Sequence, residues 1–548
     1  MYTPIPDPVG GSLTLSALIA TLPLLTVFAL LGIARWKAQW AALAGLAVTL
    51  LVAVLAYRMP AGQAFSAAAE GAAFGLFPIM WIVVNAIWVY NLTVATGHFD
   101  VLRRSFAKVS DDQRIQAIII AFCFGGLLEA LAGFGTPVAI TAVMLIAMGF
   151  EKFRAAAVAL VANTAPVAFG AMAVPITTLA SITGLPEADL AAMVGRQTPI
   201  LAVFVPLVLV SMVDGRRGLR QTWPAAVVGG LTFGILQFLC SNFASVALTD
   251  IAASLGGALA VVLLLRVWRP AGAAAVPEPV AVGGGDGIDT DATAPTAAVT
   301  QDSRSDMIKA YAPYLVIIAV FSIAQAAPIA ALLKLGTIRF AWPGLDIVLA
   351  DGSRPSAITF KLELLQSGGT LLLVSGLLSM IILGLGPAAA ARAYGATVHQ
   401  LRWAILTVAC VLALAYVMNL SGQTTSIGLW MAGAGMAFAF LSPILGWLGV
   451  AVTGSDTSSN ALFGTLQVAA AQGTGLSPTL LAAANSSGGV LGKMISPQNL
   501  AIAAAAVGIS GQEGVLLRRL LPWTVVFLLG MCLLIFLQST PILGWMVP

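Results

Sequence analysis

The sequence predicts an all-α, polytopic membrane protein with about 12 to 14 transmembrane helices, built from two inverted-topology repeats that contain discontinuous helices and hairpins. Composition is the first observation: of 548 residues, 59% are hydrophobic and only 9% are charged, and the mean hydropathy is +0.98. Soluble domains carry about 25% charged residues, so lipid is the solvent that suits this chain. The second observation is a series of long apolar segments, and the third is a motif that occurs twice.

The apolar stretches are long enough to cross a bilayer, and polar connections divide them into blocks. One connection is exceptional: residues 269–306 are rich in Ala, Pro, Gly, Thr and Asp, and we expect a disordered cytoplasmic linker because so few apolar side chains cannot offset the ordering entropy. A shorter polar stretch at 339–361 is expected to lie over one membrane face. The predicted units are N-terminal transmembrane helices at 1–60, a first repeat at 70–213, transmembrane helices at 221–268, the linker at 269–306, transmembrane helices at 307–386 and a second repeat at 400–540.

Basic residues in short loops predict the orientation, because such loops stay on the cytoplasmic side. All of these loops can be cytoplasmic at once if the N-terminus is outside, which also places the linker inside and the C-terminus outside. The basic loops lie at 35–37, 103–114, 152–154, 216–220, 392–402 and 518–519.

The repeated motif occurs once in each half of the chain. The two copies have identical spacing and lie 322 residues apart: Asn163-x6-Gly170-x-Met172-x2-Pro175 and Asn485-x6-Gly492-x-Met494-x2-Pro497. The predicted orientation runs the two copies through the membrane in opposite directions. Inverted repeats of this kind are typical of secondary transporters, in which broken helices from both halves meet near the bilayer midplane.

Glycine, proline and small polar residues interrupt the apolar helices at matching places in both halves. A helix that starts after such a break points free N–H groups and a positive dipole end inward, which suits an anionic carboxylate. We therefore predict a substrate-binding site from the helix starts, nearby amides and hydroxyls, and one deep cation: Gly133, Gly135, Thr136, Asn163, Ser458, Ser459, Asn460, Asn485, Ser486, Ser487 and Lys493.

Glu129 and Asp456 are acids at membrane depth, where a charge costs about 2.5–3.5 kcal/mol. A carboxyl group in such a place is a usable proton carrier, so both are predicted to couple proton movement to transport. Structural interpretations of the same residues stay open. In these, Glu129 pairs with a cation or caps its broken helix, and Asp456 caps a helix. Lys493 extends to the lipid headgroups, and the side-chain amides of Asn163 and Asn485 bond to freed backbone carbonyls.

Other kinds of function find little support in the sequence. The chain has only two histidines and four widely separated cysteines, so neither a metal site nor a cofactor is predicted. The lysines and arginines form no basic face with aromatic residues between them, which argues against nucleic acid as a partner. A small substrate, protons and membrane lipid are the expected partners, and the oligomeric state is left open.

Four stretches resemble the L-lactate permease family of bacterial monocarboxylate transporters. They are LLEALAGFGTPVAI (127–140), NTAPVAFGAMAVPIT (163–177), TGSDTSSNALFGTLQ (453–467) and NSSGGVLGKMISPQNLAIA (485–503). The resemblance implies uptake of L-lactate, and of glycolate or related 2-hydroxy monocarboxylates, by proton symport at the inner membrane. Ala130 and Ala173 stand where the family pattern leads us to expect glycine, and both remain small.

Two rival hypotheses accompany this one. The first is a Na⁺-coupled carboxylate or dicarboxylate transporter, in which the oxygens around Asp456 and Asn485 hold Na⁺; a dianion should need more cations than Lys493 alone. The second is an anion channel or a membrane-bound enzyme, although the sequence contains no nucleophile motif, phosphate loop or ligand cluster.

Overall fold

The computed structural model is almost entirely helical, which confirms the prediction of an all-α, polytopic membrane protein. It describes residues 1–34, 36–133, 135–270, 303–324, 326–349, 352, 354–355 and 358–548. Most of the linker predicted at 269–306 therefore lies outside the described residues, and its last residues, from Arg304 onwards, belong to a helix.

The helices are numbered α1 to α24 in chain order. Before the first repeat motif they are α1 (Leu13–Ala20), α2 (Leu22–Phe28), α3 (Ala38–Leu55), α4 (Ala61–Phe74), α5 (Trp81–Ala95), α6 (His98–Ala107), α7 (Gln113–Gln116), α8 (Gly125–Ala132) and α9 (Thr136–Ala147). The middle of the chain contains α10 (Lys152–Ala162), α11 (Gly170–Thr183), α12 (Glu187–Val194), α13 (Thr198–Phe243), α14 (Thr249–Val267), α15 (Arg304–Ala324), α16 (Ala327–Lys334) and α17 (Gly368–Ile382). The C-terminal part contains α18 (Pro387–Ser421), α19 (Gln423–Met431), α20 (Phe438–Thr453), α21 (Asp456–Thr474), α22 (Pro478–Gly492), α23 (Pro497–Ala506) and α24 (Glu513–Gln538).

Ten segments of the described chain are long and apolar enough to cross a membrane, and three shorter apolar helices accompany them. The longest segment, Glu187–Phe243, has 57 residues. At 1.5 Å per residue it is about 85 Å long, nearly three times the bilayer core. Its backbone leaves helical geometry at Asp214 and Gly215, so it turns at the membrane surface and crosses more than once.

A small β-hairpin interrupts the helical pattern outside the membrane spans. Strands β1 (Thr337–Ala341) and β2 (Thr359–Glu363) pair antiparallel, with Arg339 opposite Lys361. The hairpin occupies the polar stretch that the sequence assigned to a membrane face, but the strands themselves were not predicted. They are only five residues long, and the alternation in β1 is too short to stand out beside the long apolar helices.

The basic loops share one face of the molecule, as the charge pattern predicts. Residues in or next to these loops contact one another: Gln113 Nε2 and the Met148 carbonyl (3.2 Å), Arg114 Nη1 and Asp214 Oδ2 (3.2 Å), Arg519 Nη1 and Glu151 Oε2 (4.0 Å), and the rings of Trp40 and Trp403 (6.3 Å between centroids). Because positive loops remain cytoplasmic, we assign this face to the cytoplasmic side.

The two repeats have the same order of elements. Helices α8, α9, α10 and α11 correspond to α20, α21, α22 and α23, with a break after the first and third helix of each set. The third helices lie at the centre of the protein: every residue of 155–162 in α10 and of 480–492 in α22 is buried. Residues 155–162 of α10 are apolar all round, and such a helix needs a buried position.

The repeats are inverted relative to the membrane. Helix α9 ends at the cytoplasmic face and packs against α23. The equivalent helices of the other repeat order, α21 and α11, also pack against each other. Helix α24 has 26 residues, or about 39 Å, and runs from the Arg519 contact at the cytoplasmic face to Gln538. Gln538 accepts a hydrogen bond from Gln197 (3.0 Å), shortly after α12. Helix α11 therefore leads to the external face, opposite to α9.

Candidate functional site

Each repeat contains a hairpin whose two helices are separated by a glycine break. Gly133 and Gly135 separate α8 from α9, and Gly454 and Ser455 separate α20 from α21. Gly135 and Gly454 have φ angles of +84° and +74°, a conformation that glycine adopts without steric penalty. These glycines allow a new helix to start in the interior of the protein.

The helix after the second break starts earlier than expected. We predicted Ser458, Ser459 and Asn460 as the helix start, but α21 begins at Asp456. Ser455 caps it, because its Oγ accepts a hydrogen bond from the backbone N–H of Ser458 (3.3 Å). The capping role considered for Asp456 thus belongs to Ser455, and the Asp456 carboxylate is free for other contacts.

The two breaks face one cavity of about 40 Å³ between the repeats. At about 10–15 Å³ for each water, it has room for roughly three water molecules. The walls come from both repeats: Glu129, Gly133, Val167, Gly170, Ala171, Val174, Pro175, Gly454, Ser455, Asp456, Thr457 and Lys493. The two hairpins therefore converge on one polar chamber.

A buried ion pair joins the repeats at this cavity. Lys493 Nζ lies 2.5 Å from Glu129 Oε1, and the two residues are 5% and 3% exposed. Asn163 Nδ2 donates to the other carboxylate oxygen, Glu129 Oε2 (2.9 Å). Lys493 therefore does not extend to the headgroups. Removing one partner of such a pair typically costs about 3–5 kcal/mol.

Asp456 is the second acid in the cavity wall, and it has one free oxygen. Its Oδ2 accepts hydrogen bonds from Ser486 Oγ (2.6 Å) and Asn460 Nδ2 (3.4 Å). Its Oδ1 is buried and has no hydrogen-bond partner among the described residues. Since buried polar atoms nearly always have a partner, this oxygen keeps an unused capacity to accept a hydrogen bond.

Several residues predicted to touch substrate lie behind the cavity wall. Asn485 Nδ2 donates to Asn460 Oδ1 (2.9 Å), and Asn460 Nδ2 donates to the carbonyl of Pro175 in the other repeat (3.1 Å). These amides bond to each other and to a freed carbonyl, one of the alternatives left open by the sequence. Their contacts hold the start of α21 against the first repeat.

The hydroxyls of Ser459 and Ser487 also point away from the cavity. Ser459 donates to the carbonyl of Gly446 (3.2 Å), and Ser487 donates to Gln197 Oε1 (2.7 Å). Thr136 begins α9 next to Gly135 but does not line the cavity. In this conformation none of Ser459, Ser487 and Thr136 lines the cavity, and their contact with substrate stays a prediction.

The first turn of α11 supplies wall residues that were not predicted to bind substrate, although Gly170 and Pro175 belong to the repeated motif. Ala171, Met172 and Ala173 have φ angles of +46°, +59° and +61°, and such a left-handed turn costs about 1–2 kcal/mol per residue. It brings Gly170 and Pro175 to the cavity beside Glu129. The Gly–Pro spacing of the repeat was the available signal for this wall.

Two inverted repeats with a small cavity and charged walls between them are an arrangement typical of membrane transporters. The model of the family described as L-lactate permease matches residues 16–542. The chain therefore belongs to the L-lactate permease family, a family of permeases and not of enzymes, and is a multi-pass membrane protein.

Curated relatives cover the whole chain. An L-lactate permease of Bacillus subtilis (strain 168) is 42% identical over 100% of both chains. The glycolate permease GlcA of Escherichia coli (strain K12) is 41% identical over 100% of this chain and 99% of its own. Among solved structures, the Alcanivorax borkumensis YdaH transporter aligns with 86% of this chain and 87% of its own, at 14% identity and a TM-score of 0.43.

Proposed function

We propose that this protein transports L-lactate, glycolate and related 2-hydroxy monocarboxylates across the bacterial inner membrane by symport with a proton. The observation that carries the proposal is the buried Lys493–Glu129 pair in a cavity between inverted repeats. The names of the relatives, an L-lactate permease and a glycolate permease, indicate the class of substrate.

Lys493 is the proposed cation that binds the substrate carboxylate, and Glu129 forms an ion pair with Lys493 when no substrate is bound. Two like charges 4 Å apart repel by about 4 kcal/mol at an effective dielectric constant of 20. A substrate anion can therefore replace Glu129 at low free energy only if Glu129 takes up a proton. The cavity then gains one anion and one proton together, and its net charge is unchanged.

Asp456 takes a different role in this proposal from the one predicted for it. Its unpartnered Oδ1 can accept a hydrogen bond from the 2-hydroxyl of the substrate while Lys493 binds the carboxylate. A hydrogen bond to a charged group contributes about 1.5–3 kcal/mol. This contact would favour 2-hydroxy acids over simple fatty acids of equal length, and the small cavity volume favours short ones.

Alternating access requires the two repeats to move relative to each other about the cavity. The polar contacts that cross between them there include Lys493 with Glu129, and Asn460 with the carbonyl of Pro175. Replacing Glu129 by the substrate loosens the first contact. Proton binding and substrate binding thus both break the Lys493–Glu129 contact, which must also change when the repeats move.

The test is lactate uptake into proteoliposomes that contain the purified protein. An electroneutral 1:1 symporter should accumulate lactate about tenfold for an inward proton gradient of one pH unit. It should not respond to an imposed membrane potential, and liposomes without the protein should accumulate nothing through this route.

Three results would contradict the proposal. Uptake that ignores both the pH gradient and an uncoupler would exclude proton symport. Uptake that requires Na⁺ would favour the sodium-coupled hypothesis. Lactate conductance without accumulation would indicate a channel.

A further inference from the structure

Another buried acid, Asp250, lies near the level of Glu129 and outside the cavity described above. Asp250, in the first turn of α14, is fully buried. Its Oδ1 accepts a hydrogen bond from Gln237 Nε2 (2.9 Å), and its Oδ2 has no hydrogen-bond partner among the described residues. A carboxyl group in such a position needs a partner or a proton.

Helix packing brings Asp250 to the level of Glu129. Helices α8 and α14 are in contact and antiparallel, and Gly126 of α8 lies against the hydroxyl of Ser254 in α14. From this contact towards the external face, Glu129 is three residues further along α8 and Asp250 is four residues further along α14. At 1.5 Å per residue, these offsets are about 4.5 and 6 Å, so the two acids lie at nearly the same level of two helices that pack together.

Polar groups continue between the two acids. Gln237 Nε2 donates both to Asp250 and to the carbonyl of Ala165 (3.2 Å). Ala165 follows two residues after Asn163, whose amide donates to Glu129. Asn163 Oδ1 and Ser254 Oγ are also buried without a hydrogen-bond partner in the described part of the chain. These unpartnered atoms are hydrogen-bond acceptors along this route, either for a proton or for a water molecule that carries one.

The external end of the route is close to open space. Thr249 Oγ1 donates to the carbonyl of Ser245 (3.2 Å) in the turn that precedes α14. Ser245 lines two cavities, of about 490 and 290 Å³. Among the described residues near the level of Asp250, the other titratable groups on the elements packed around it are Glu129 on α8, Cys240 on α13 and Cys123 on the helix that leads into α8. The remaining charged groups of α13 and α14 lie towards the cytoplasmic ends of these helices: Asp214, Arg216, Arg217, Arg220 and Arg266.

We infer that Asp250 is a proton-binding site that takes the coupling proton from the external side and passes it to Glu129, an inference that rests on the proposed function. The proton moves from external water near Ser245 to Asp250 Oδ2 and then to Glu129. Glu129 thereby becomes neutral and releases Lys493 to the substrate carboxylate. Asp250 is ionised again after the transfer, so charge and protons balance.

The test compares Asp250→Asn with the wild type and with Glu70→Gln in proteoliposomes. Glu70 is a matched control: it is a buried acid on α4, 1% exposed, with one oxygen that also lacks a described partner. We expect the initial rate of proton-driven lactate uptake to fall at least tenfold in Asp250→Asn and to stay within twofold of wild type in Glu70→Gln. Lactate–lactate exchange at equal pH should be unchanged in Asp250→Asn, because a proton retained on Glu129 suffices for exchange.

Two further measurements separate a relay from a structural role. Equilibrium lactate binding by Asp250→Asn should keep the pH dependence of the wild type, and Asp250→Glu should restore proton-driven uptake at least in part. If Asp250→Asn does not fold, Asp250→Ser, which keeps a hydrogen-bonding group for Gln237, replaces it with the same expectation. Wild-type uptake rates in the Asn or Ser variant, or an equal loss in Glu70→Gln, would overturn the inference. The proposed function fails separately, if the wild type shows no proton-driven uptake.

Discussion

Replacing Glu129 by glutamine should separate substrate binding from proton binding. In the wild type, each bound lactate brings one proton to Glu129, so lactate affinity should increase about tenfold for each unit by which the pH falls, over the range in which Glu129 of the empty site is ionised. Glutamine cannot take up this proton. The affinity of Glu129→Gln should therefore be independent of pH.

The expected change in affinity follows from the ion pair. Removing one partner of a buried pair costs about 3–5 kcal/mol, because the other charge is left without compensation. In Glu129→Gln the substrate carboxylate is the compensating charge for Lys493, which is 5% exposed. If about 3 kcal/mol is recovered on binding, lactate binds about 100-fold more tightly than to the wild type at a pH where Glu129 is ionised. Accumulation by the variant should be lost.

The assay is binding of labelled lactate to detergent-purified protein at pH 6, 7 and 8, with a thermal melt to show that each variant is folded. Glu151→Gln is the matched control, because Glu151 lies at the cytoplasmic face and is 55% exposed. It should keep the wild-type pH dependence. A folded Glu129→Gln protein that still binds lactate more tightly at lower pH would refute the role given to Glu129.

Three further predictions concern specificity, packing and topology. Asp456→Asn should reduce the preference for lactate over propionate about fivefold in competition assays, since a hydrogen bond to a neutral group is weaker by about 1 kcal/mol. Gly488→Ala should lower the melting temperature and destabilise the protein by about 1–3 kcal/mol, because its Cβ would overlap the backbone of α20, whereas Gly530→Ala meets nothing within 4 Å and should not. Single cysteines at Asp111 and Gln472 should react with a membrane-impermeant maleimide from opposite sides; labelling from the same side would contradict the inverted topology.

The architecture could be predicted from the sequence because its physical causes are local. Low charge and long apolar segments require lipid, and basic loops select the cytoplasmic side. Small residues at matching positions within the apolar runs already indicate the breaks. The glycines at these breaks, such as Gly135 and Gly454, have positive φ angles. The doubled motif then indicated two inverted copies, and the structure has them.

Only the tertiary structure decided which polar residues face the cavity. Glu129 and Lys493 are 364 residues apart, and nothing near either one in the chain indicates that they pair. Ser459 and Asp456 lie on the same helix, yet the hydroxyl bonds to a backbone carbonyl and the carboxylate lines the cavity.

The position of Asp250 beside Glu129 has the same origin. The helical period fixes how side chains are arranged around a helix axis, but it does not fix how that helix is rotated or placed against its neighbours. Close packing of distant segments determines rotation and placement, and only this packing brings the acids, the lysine and the amides of the two repeats together.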